Sequence, residues 1–319
     1  MALQRNIVML GGTGFVGRHI AERLSAAGHR VKIITRRRER HRDLLVLPTV
    51  TLVEGSVYND VLLNRELAGQ DAVINLVGIL NEAGRDGRGF ERVHAELPAR
   101  VVQVCRKHGV RRLLHMSALN AAPTAPSHYL RSKARGEALV MEAESPALHV
   151  TAFRPSVIFG PGDSFTNRFA RLLRLTPLAF PLACPHSRFQ PLYVEDVARA
   201  FVTALDMSAS HGRSYDLCGP KVYTLEELVR YLAALIGTRR WIVPLGDRLS
   251  RLQAAVLQFA PGKPFTLDNY RSLSVASVCR GEPPAELGIR PRPLEDIVPT
   301  YLGPRAERNP DDYRRTALR

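Results

Sequence analysis

Apolar positions in the first half of the chain alternate between short continuous runs and longer segments with helical spacing. Continuous runs of four to six residues are typical of strands buried on both faces of a parallel sheet. The intervening segments place apolar residues three or four positions apart, as amphipathic helices do. This alternation, repeated five times, predicts an α/β fold, a doubly wound parallel sheet of the Rossmann type. The predicted strands are 7–10, 31–34, 50–53, 72–77 and 112–116, and the predicted helices are 18–27, 62–68 and 90–108.

The second half predicts a smaller α/β subdomain on the substrate side. Residues 161–187 leave the sheet, and within them 175–185 are apolar and rich in proline. This segment walls a substrate cleft, docks on a membrane or partner, or forms a buried loop over the nicotinamide site. Thr224 and Glu227 have the spacing of a capping box, which predicts a helix start. The remaining predicted elements are strands at 151–156 and 214–217 and helices at 194–206, 224–237 and 248–259.

These elements predict two regions. We expect a nucleotide-binding Rossmann domain at 1–160 and a C-terminal substrate or interface region at 161–319, of which 189–206 packs back on the first domain. Residues 305–319 are expected to form a mobile basic tail.

The first predicted strand runs directly into a glycine-rich loop with the spacing G-x-x-G-x-x-G, and a predicted helix follows. Glycine allows a tight turn and a close approach of backbone and ligand. The N-terminus of the helix presents N–H groups and the positive end of a dipole to a phosphate. The order of strand, loop and helix therefore predicts a dinucleotide site. Its contacts in the loop are assigned to Gly11, Thr13, Gly14, Phe15, Val16 and Gly17.

The residues after the second predicted strand select the cofactor. An NAD site usually has an acidic residue here, which accepts hydrogen bonds from the ribose 2′-hydroxyl. This chain instead has Arg36, Arg37 and Arg38. Guanidinium groups bind a 2′-phosphate, which a carboxylate repels, so Arg36 and Arg37 predict NADP(H). A solvated basic loop remains the alternative for Arg40 and Arg42.

Further nucleotide contacts are expected where later strands reach the carboxyl edge of the sheet, since these folds bind ligands there. The small residue Gly78 would let the adenosine half lie across this edge. Contacts are assigned to Val77, Gly78, Lys133, Pro155 and Val157.

Three residues carry the predicted chemistry. Ser117 follows the fifth strand, and Tyr129 and Lys133 are four residues apart in a helical segment, so they project from one face. Hydride transfer to or from a carbonyl needs a proton donor or acceptor beside the carbonyl oxygen. Tyr129 has that role in our interpretation, Lys133 lowers the pKa of Tyr129 and holds the ribose, and Ser117 polarises the carbonyl. No metal site is predicted.

With these motifs the chain resembles the short-chain dehydrogenase/reductase superfamily, in its extended or atypical branch. The resemblance rests on GGTGFVG at 11–17, on Ser117, Tyr129 and Lys133, and on FRPSVIFGPGD at 153–163. It implies a Rossmann fold and a nicotinamide cofactor.

A narrower resemblance is to the bacterial relatives of the NADPH-binding accessory subunit of respiratory complex I, alpha subcomplex subunit nine. It rests on SHYLRSKARGE at 127–137, NRFARLLRL at 167–175 and RFQPLYVEDVARA at 188–200. This resemblance implies tightly bound NADPH without an assigned turnover reaction. Two departures from the superfamily pattern bear on the site. Ser56 stands where many relatives have an acidic residue, and His94 stands where many have asparagine.

Charge and cysteine content bear on partners and compartment. A net charge of +15 predicts an anionic partner, such as a phosphorylated cofactor, an acidic protein or a membrane surface. Nucleic acid is disfavoured because the arginines are spread along the chain and not interleaved with aromatic residues. Four scattered cysteines without a C-x-x-C pair predict reduced thiols and a cytosolic chain, peripheral to the inner membrane if it docks there. They are Cys105, Cys184, Cys218 and Cys279.

Residues 248–259 combine apolar residues at helical spacing with arginines on the other side. Such a helix docks on a membrane surface or a partner, or packs on its own domain, and the sequence leaves these alternatives open.

Three functions remain in competition. The first is an NADP(H)-dependent oxidoreductase acting on a carbonyl or hydroxyl group, with an apolar, quinone-like or lipid-like substrate because the pocket-forming segments are apolar. The second is a non-catalytic NADPH-binding accessory, structural or redox-sensing subunit of a respiratory complex. The third is a nucleotide-sugar epimerase or dehydratase.

Overall fold

The computed structural model describes residues 3–303, so the predicted tail at 305–319 lies outside the described residues. The described chain forms two compact units, each assembled from separate stretches of sequence. The first unit contains the residues up to Pro155, Glu195–Leu217 and Pro284–Arg290, and the second contains Ser156–Val194, Cys218–Pro283 and the residues from Pro291 on. The functional division at residue 160 stays a prediction.

Short strands and helices alternate through both units. The strands are β1 (Asn6–Leu10), β2 (Arg30–Thr35), β3 (Val50–Glu54), β4 (Ala72–Asn75), β5 (Arg112–Met116), β6 (His149–Pro155), β7 (Ile158–Phe159), β8 (Ala179–Leu182), β9 (Arg188–Phe189), β10 (Leu192–Tyr193), β11 (Arg213–Leu217), β12 (Tyr223–Thr224) and β13 (Trp241–Pro244). The helices are α1 (Phe15–Ala26), α2 (Asp60–Leu67), α3 (Arg88–Glu91), α4 (Leu97–Lys107), α5 (His128–Met141), α6 (Thr166–Leu175), α7 (Val194–Asp206), α8 (Leu225–Leu235), α9 (Asp247–Leu257), α10 (Leu267–Leu273), α11 (Leu294–Ile297) and α12 (Pro299–Leu302).

A seven-stranded parallel sheet forms the centre of the first unit, in the order β3-β2-β1-β4-β5-β6-β11. The chain winds outward from β1 in one direction and from β4 in the other, so the order reverses between these two strands. Ligands of such sheets bind at the carboxyl ends of the strands beside this reversal. The predicted α/β fold class is confirmed.

Burial explains why the strands could be predicted. Ile7, Val8, Met9 and Leu10 of β1 are completely buried, because helices cover both faces of the sheet. The helices contribute one apolar face each, as Val101 and Cys105 of α4 do in the core.

The helix predicted at 90–108 is not continuous. It consists of α3, a π-helical turn at Arg92–Glu96 and α4. Periodicity did not reveal the π turn, because one extra residue shifts the apolar positions by a single place, within the spacing of three or four that an ordinary helix allows. Gly136 of α5 packs directly on this turn, since a Cβ atom there would lie 1.6 Å from the His94 carbonyl oxygen.

The second unit has its own apolar core, built around Phe159, Phe180 and Phe189 with α8. The prediction that residues 175–185 form a loop is wrong, because Ala179–Leu182 form β8, which pairs in parallel with β13. The capping box predicted at Thr224 and Glu227 is confirmed.

A disulfide joins Cys218 to Cys279 in the second unit, whereas Cys105 and Cys184 are free thiols. The prediction of four reduced thiols is therefore wrong for this pair. The two positions are 61 residues apart, so sequence spacing gave no sign of their proximity. Within residues 3–303, no helix has the length and apolar character needed to cross a bilayer.

Candidate functional site

The glycine-rich loop links β1 to α1, and the first turn of α1 packs directly on the backbone of the loop. Gly11 has a φ of +79°, which favours glycine. A Cβ atom on Gly17 would lie 2.6 Å from both the Gly11 carbonyl oxygen and the Gly12 Cα atom. Any side chain at Gly17 would therefore open the turn that aims α1 at the edge of the sheet.

The N-terminus of α1 is available to an anion. Gly14 is the N-cap residue, and no side chain caps the helix or places an acidic group in its first turn. Phe15 and Val16, half-buried, begin the helix. The Thr13 carbonyl oxygen accepts a hydrogen bond from Arg18 Nε at 3.1 Å, which braces the loop. The first-turn N–H groups, which have no partner within a helix, suit a phosphate.

Arg36 and Arg37 follow β2 and are both exposed. Within residues 3–303, neither forms an ion pair with a carboxylate, whereas Arg42 pairs with Glu39. Burial raises the pKa of Tyr58, and Arg92, whose guanidinium lies 4.6 Å from the centre of the Tyr58 ring, opposes that shift. Guanidinium groups without a carboxylate partner at this strand end could bind a phosphate ester.

The end of β4 approaches the helix that carries the predicted catalytic pair. Val77 donates its N–H to Asn75 Oδ1 at 3.2 Å, which fixes the chain just beyond the strand. A Cβ atom on the next residue, Gly78, would lie 3.2 Å from Lys133 Nζ. Val77, Gly78 and Lys133 thus meet at one edge of the sheet.

Tyr129, Lys133 and Glu137 lie on one face of α5, at successive intervals of four residues. Ser127 caps the helix by accepting a hydrogen bond from the Leu130 N–H. Burial raises the pKa of Tyr129 to about 12, which is opposite to the predicted lowering by Lys133. Burial lowers the pKa of Lys133 to about 8, although the charge of Glu137 partly opposes this. At neutral pH the first side chain is therefore a phenol and the second mostly an ammonium.

Lys133 is anchored to the end of β5. Its Nζ atom donates a hydrogen bond to the Met116 carbonyl oxygen at 3.1 Å. Ser117 follows directly, and its N–H donates to the Phe153 carbonyl oxygen at 2.8 Å. The structure thus brings Lys133 to the strand end that carries Ser117.

The Ser117 side chain is buried against Glu137. Ser117 Oγ and Glu137 Oε2 are both buried, and neither atom has a hydrogen-bond partner among the described residues. Glu137 Oε1 accepts hydrogen bonds from Arg154 Nε at 2.7 Å and Ser214 Oγ at 2.8 Å. These bonds outweigh the effect of burial and keep the carboxylate ionised. Glu137 was not predicted from the sequence, although its spacing of four from Lys133 repeats the spacing between Tyr129 and Lys133.

His94 is held as a neutral imidazole in the π turn. Its Nε2 atom accepts a hydrogen bond from the Ile79 N–H at 3.1 Å. Its Nδ1 atom lies 2.9 Å from Ser132 Oγ, whose proton is donated to the Tyr129 carbonyl oxygen, so the network assigns the imidazole proton to Nδ1. Burial, with Lys133 adding repulsion, lowers the His94 pKa to about 2. His94 therefore has a structural role in these contacts and does not act as a proton donor or acceptor.

Aromatic packing fixes the Tyr129 ring. The ring lies edge-on to His94 and Phe90, with centroids 5.5 and 6.0 Å apart. The π turn and α3 thereby set the position of the tyrosine.

The last two predicted nucleotide contacts are Pro155, the final residue of β6, and Val157, which lies in the second unit. The Pro155 carbonyl oxygen accepts a hydrogen bond from the Leu119 N–H at 3.0 Å. The Val157 carbonyl oxygen accepts one from the Leu192 N–H at 2.9 Å.

One group in the described part of the chain has the spacing of metal ligands. It consists of His19, Glu22 and Glu195, whose ligand atoms lie within 4.8 Å of one another. Both Glu195 oxygens are already engaged, by His19 Nδ1 at 2.5 Å and by Arg23 Nε at 2.7 Å. We assign no metal to this group.

Comparison with known proteins identifies the family of the chain. The sequence model of the NAD dependent epimerase/dehydratase family matches residues 7–218. NADH dehydrogenase [ubiquinone] 1 alpha subcomplex subunit 9 of Mus musculus is 31% identical over 299 residues, which cover 90% of this chain and 77% of that protein. Ceramide reductase of Caulobacter vibrioides is 30% identical over 244 residues, which cover 76% of this chain and 74% of that protein.

Solved structures with low sequence identity have a similar fold. UDP-glucose 4-epimerase of Thermotoga maritima, solved with UDP-glucose, has a TM-score of 0.74 and 18% identity, and the match covers 98% of this chain and 99% of that one.

Proposed function

The chain belongs to the NAD-dependent epimerase/dehydratase family, in the extended branch of the short-chain dehydrogenases/reductases, and we propose that it is an NADP(H)-dependent oxidoreductase. The observation that carries the proposal is the position of Lys133. Its ammonium group reaches the ends of β4 and β5 while Tyr129 extends from the same helix face. A nicotinamide cofactor and a carbonyl group would meet at this edge.

NADP is proposed over NAD because of Arg36 and Arg37. Both are exposed guanidinium groups without a paired carboxylate in the described part of the chain, at the strand end where a ribose 2′-phosphate would lie. The loop from Gly11 to Gly17 fits a pyrophosphate, since a Cβ atom at Gly17 would collide with backbone. The proposed holders of the cofactor are this loop, Arg36, Arg37 and Lys133.

The protonation states of the site favour reduction of a carbonyl. Bound NADPH would supply the hydride. Tyr129, a phenol at neutral pH, holds the proton at Oη that the substrate oxygen would receive. Lys133, with a pKa of about 8, is mostly protonated at pH 7 and stabilises the phenolate that remains. The Ser117 hydroxyl, which has no hydrogen-bond partner, can bind the same oxygen after rotating.

The substrate is proposed to be an apolar carbonyl compound, lipid-like or quinone-like. The name of one relative, ceramide reductase, supports a lipid-like substrate. We propose a location peripheral to the inner membrane, which the relatives that are complex I subunits support, whereas the Cys218–Cys279 disulfide removes the thiol argument for the cytosol.

Two other functions have specific support. A non-catalytic NADPH-binding subunit of a respiratory complex is supported by the relatives that are complex I subunits and by the raised pKa of Tyr129, which makes the residue inert as a base. Nucleotide-sugar epimerisation or dehydration is supported by the family description alone. The predicted partner contact through the basic region at 305–319 lies outside the described residues and stays a prediction.

Nucleotide release followed by a substrate screen tests the proposal. The purified protein is denatured and the released nucleotide identified, and then the fluorescence of NADPH on the native protein is followed while apolar ketones, aldehydes and quinones are added. We expect NADP(H), and a rate at least about 100-fold lower in Tyr129→Phe. Tyr231→Phe, in the second unit, is the matched control and should keep the rate.

Two results would contradict parts of the proposal. Release of NAD(H) would refute the assignment of Arg36 and Arg37. NADPH that no carbonyl oxidises, with identical behaviour in Tyr129→Phe, would favour the accessory-subunit function.

A further inference from the structure

Helix α9 in the second unit carries its apolar side chains on the outside. Leu249, Leu252 and Val256 are 55 to 61% exposed, and Phe259, just after the helix, is 64% exposed. Their spacing of three or four residues places them on one face. The buried residues Ser250 and Ala254 lie on the opposite face. The helix therefore differs from an ordinary surface helix. Its small or polar side chains face the protein, and its large apolar side chains face outward.

The strand pair β8–β13 is linked to α9 and exposes further large apolar side chains. Gln253 of α9 donates a hydrogen bond to the Pro181 carbonyl oxygen of β8 at 3.2 Å. Beside β8, Trp241 is 80% exposed and Leu178 is 81% exposed, and the Trp241 N–H donates to the Leu178 carbonyl oxygen. We call the set Leu178, Trp241, Leu249, Leu252, Val256 and Phe259 the apolar face. Contiguous exposed apolar patches of this kind mark interaction sites.

The segments that carry the apolar face are strongly basic. Residues 166–188 and 239–263 together contain nine Lys or Arg residues and one acidic residue, Asp247. That acidic side chain is engaged by the Tyr270 hydroxyl. Arg248 and Arg251 are exposed on α9 beside the apolar stripe. Any occupant of the apolar face therefore meets a positive border.

We infer that the apolar face docks on an anionic lipid bilayer, with Trp241, Leu252 and Phe259 among the headgroups and the arginines against lipid phosphates. Tryptophan is enriched at membrane interfaces, and apolar residues flanked by arginine are typical of helices that lie in the interface. A second copy of the chain would bring two strongly positive borders together, which opposes self-association. This inference does not rest on the proposed enzymatic function.

Trp241 is the only tryptophan in the chain, so its fluorescence reports contact at the apolar face alone. The full-length protein is mixed with phosphatidylcholine vesicles with or without phosphatidylglycerol, some of them containing brominated lipid. We expect a blue shift, quenching by brominated lipid and co-sedimentation with the anionic vesicles, all weakened by added salt. Binding through another basic segment would give co-sedimentation without quenching and would overturn the inference.

Leu252→Glu tests the apolar contribution, and Val61→Glu is the matched control. Val61 is a 79% exposed residue of the first unit, so both substitutions leave the cores intact. We expect Leu252→Glu to weaken partitioning at least about tenfold, since it replaces an apolar side chain that the bilayer would bury with a charge of the same sign as the lipid. Val61→Glu should leave partitioning within about twofold.

Equal binding of Leu252→Glu and the parent protein would overturn the inference. So would a blue shift that rises with protein concentration in the absence of vesicles, which indicates a second copy as the occupant. Both variants should retain bound nucleotide, so failure of docking is distinguishable from failure of the proposed function.

Discussion

Glu137 and Lys133 lie one helical turn apart on the buried face of α5, and neither side chain is more than 5% exposed. Burial lowers the pKa of Lys133 to about 8, and the Glu137 carboxylate limits that fall. Arg154 in turn binds Glu137 through Nε at 2.7 Å. The Glu137 carboxylate thus helps to keep the Lys133 side chain protonated inside the protein, and Arg154 in turn keeps Glu137 ionised. Lys133 is the ammonium group that we propose binds the nucleotide.

Replacing Lys133 with methionine should stabilise the nucleotide-free protein at pH 7. The folded-state pKa of about 8 is below the ordinary value of 10.5, so the folded state binds fewer protons than the unfolded state between these pH values. The stability of the parent protein therefore rises across this window, and below pH 8 the fold carries the full cost of the buried cation, about 3 kcal/mol. Urea unfolding should show Lys133→Met more stable by up to this amount at pH 7, with the difference shrinking towards pH 10.

The exposed residue Lys107 provides the control, and Lys107→Met should leave stability unchanged at both pH values. A loss of stability in Lys133→Met that is the same at pH 7 and pH 10 would show that its bond to Met116 outweighs the cost of its charge.

Reversing the charge of Arg36 should change cofactor choice. Arg36→Glu removes a hydrogen-bonding cation from the proposed 2′-phosphate position and adds repulsion, so the ratio of NADPH to NADH affinity should fall at least about tenfold. Fluorescence titration with both nucleotides measures the ratio. Arg40→Glu, a substitution in the same exposed basic segment, is the control, and an equal effect of both variants would point to general charge instead of a specific contact.

A methyl group at Gly17 should abolish nucleotide binding. The added Cβ atom would lie 2.6 Å from backbone atoms of Gly11 and Gly12, which cannot yield as a side chain can. Titration with NADPH should detect no saturable binding to Gly17→Ala. Gly246→Ala, where a Cβ atom meets nothing within 4 Å, should bind normally. Unaltered NADPH affinity in Gly17→Ala would mean that the nucleotide does not depend on this loop.

Loss of the disulfide should destabilise the second unit. The bond between Cys218 and Cys279 closes a loop across 61 residues, for which chain entropy gives about 4 kcal/mol of stabilisation. Cys279→Ser should lower the unfolding temperature measured without reductant, whereas Cys184→Ser, which alters a free thiol, should not. With dithiothreitol the parent protein should approach the Cys279→Ser variant, and no response to the reductant would show that the purified chain is not oxidised at this pair.

The sheet could be predicted from sequence because strands buried on both faces need continuous apolar runs, as at Ile7 to Leu10. The capping box at Thr224 was equally local, since both of its partners lie within one turn. The disulfide, the pairing of β8 with β13 and the partners of Glu137 depend on positions distant in sequence, which a local pattern does not encode. For the site, the sequence indicated Ser117, Tyr129 and Lys133 by motif, but it gave no indication that Ser117 faces Glu137.

The π turn at Arg92–Glu96 has a consequence for how this site can change. A π turn holds about one residue more than an α turn, so it acts as a one-residue insertion that rotates the preceding helix by about 100° relative to α4. Phe90 and His94 face Tyr129 only in that phase. A single deletion within the turn would restore an uninterrupted helix and turn Phe90 away, without replacing Ser117, Tyr129 or Lys133. Chain length at this one turn, more than residue identity, sets the surroundings of the tyrosine.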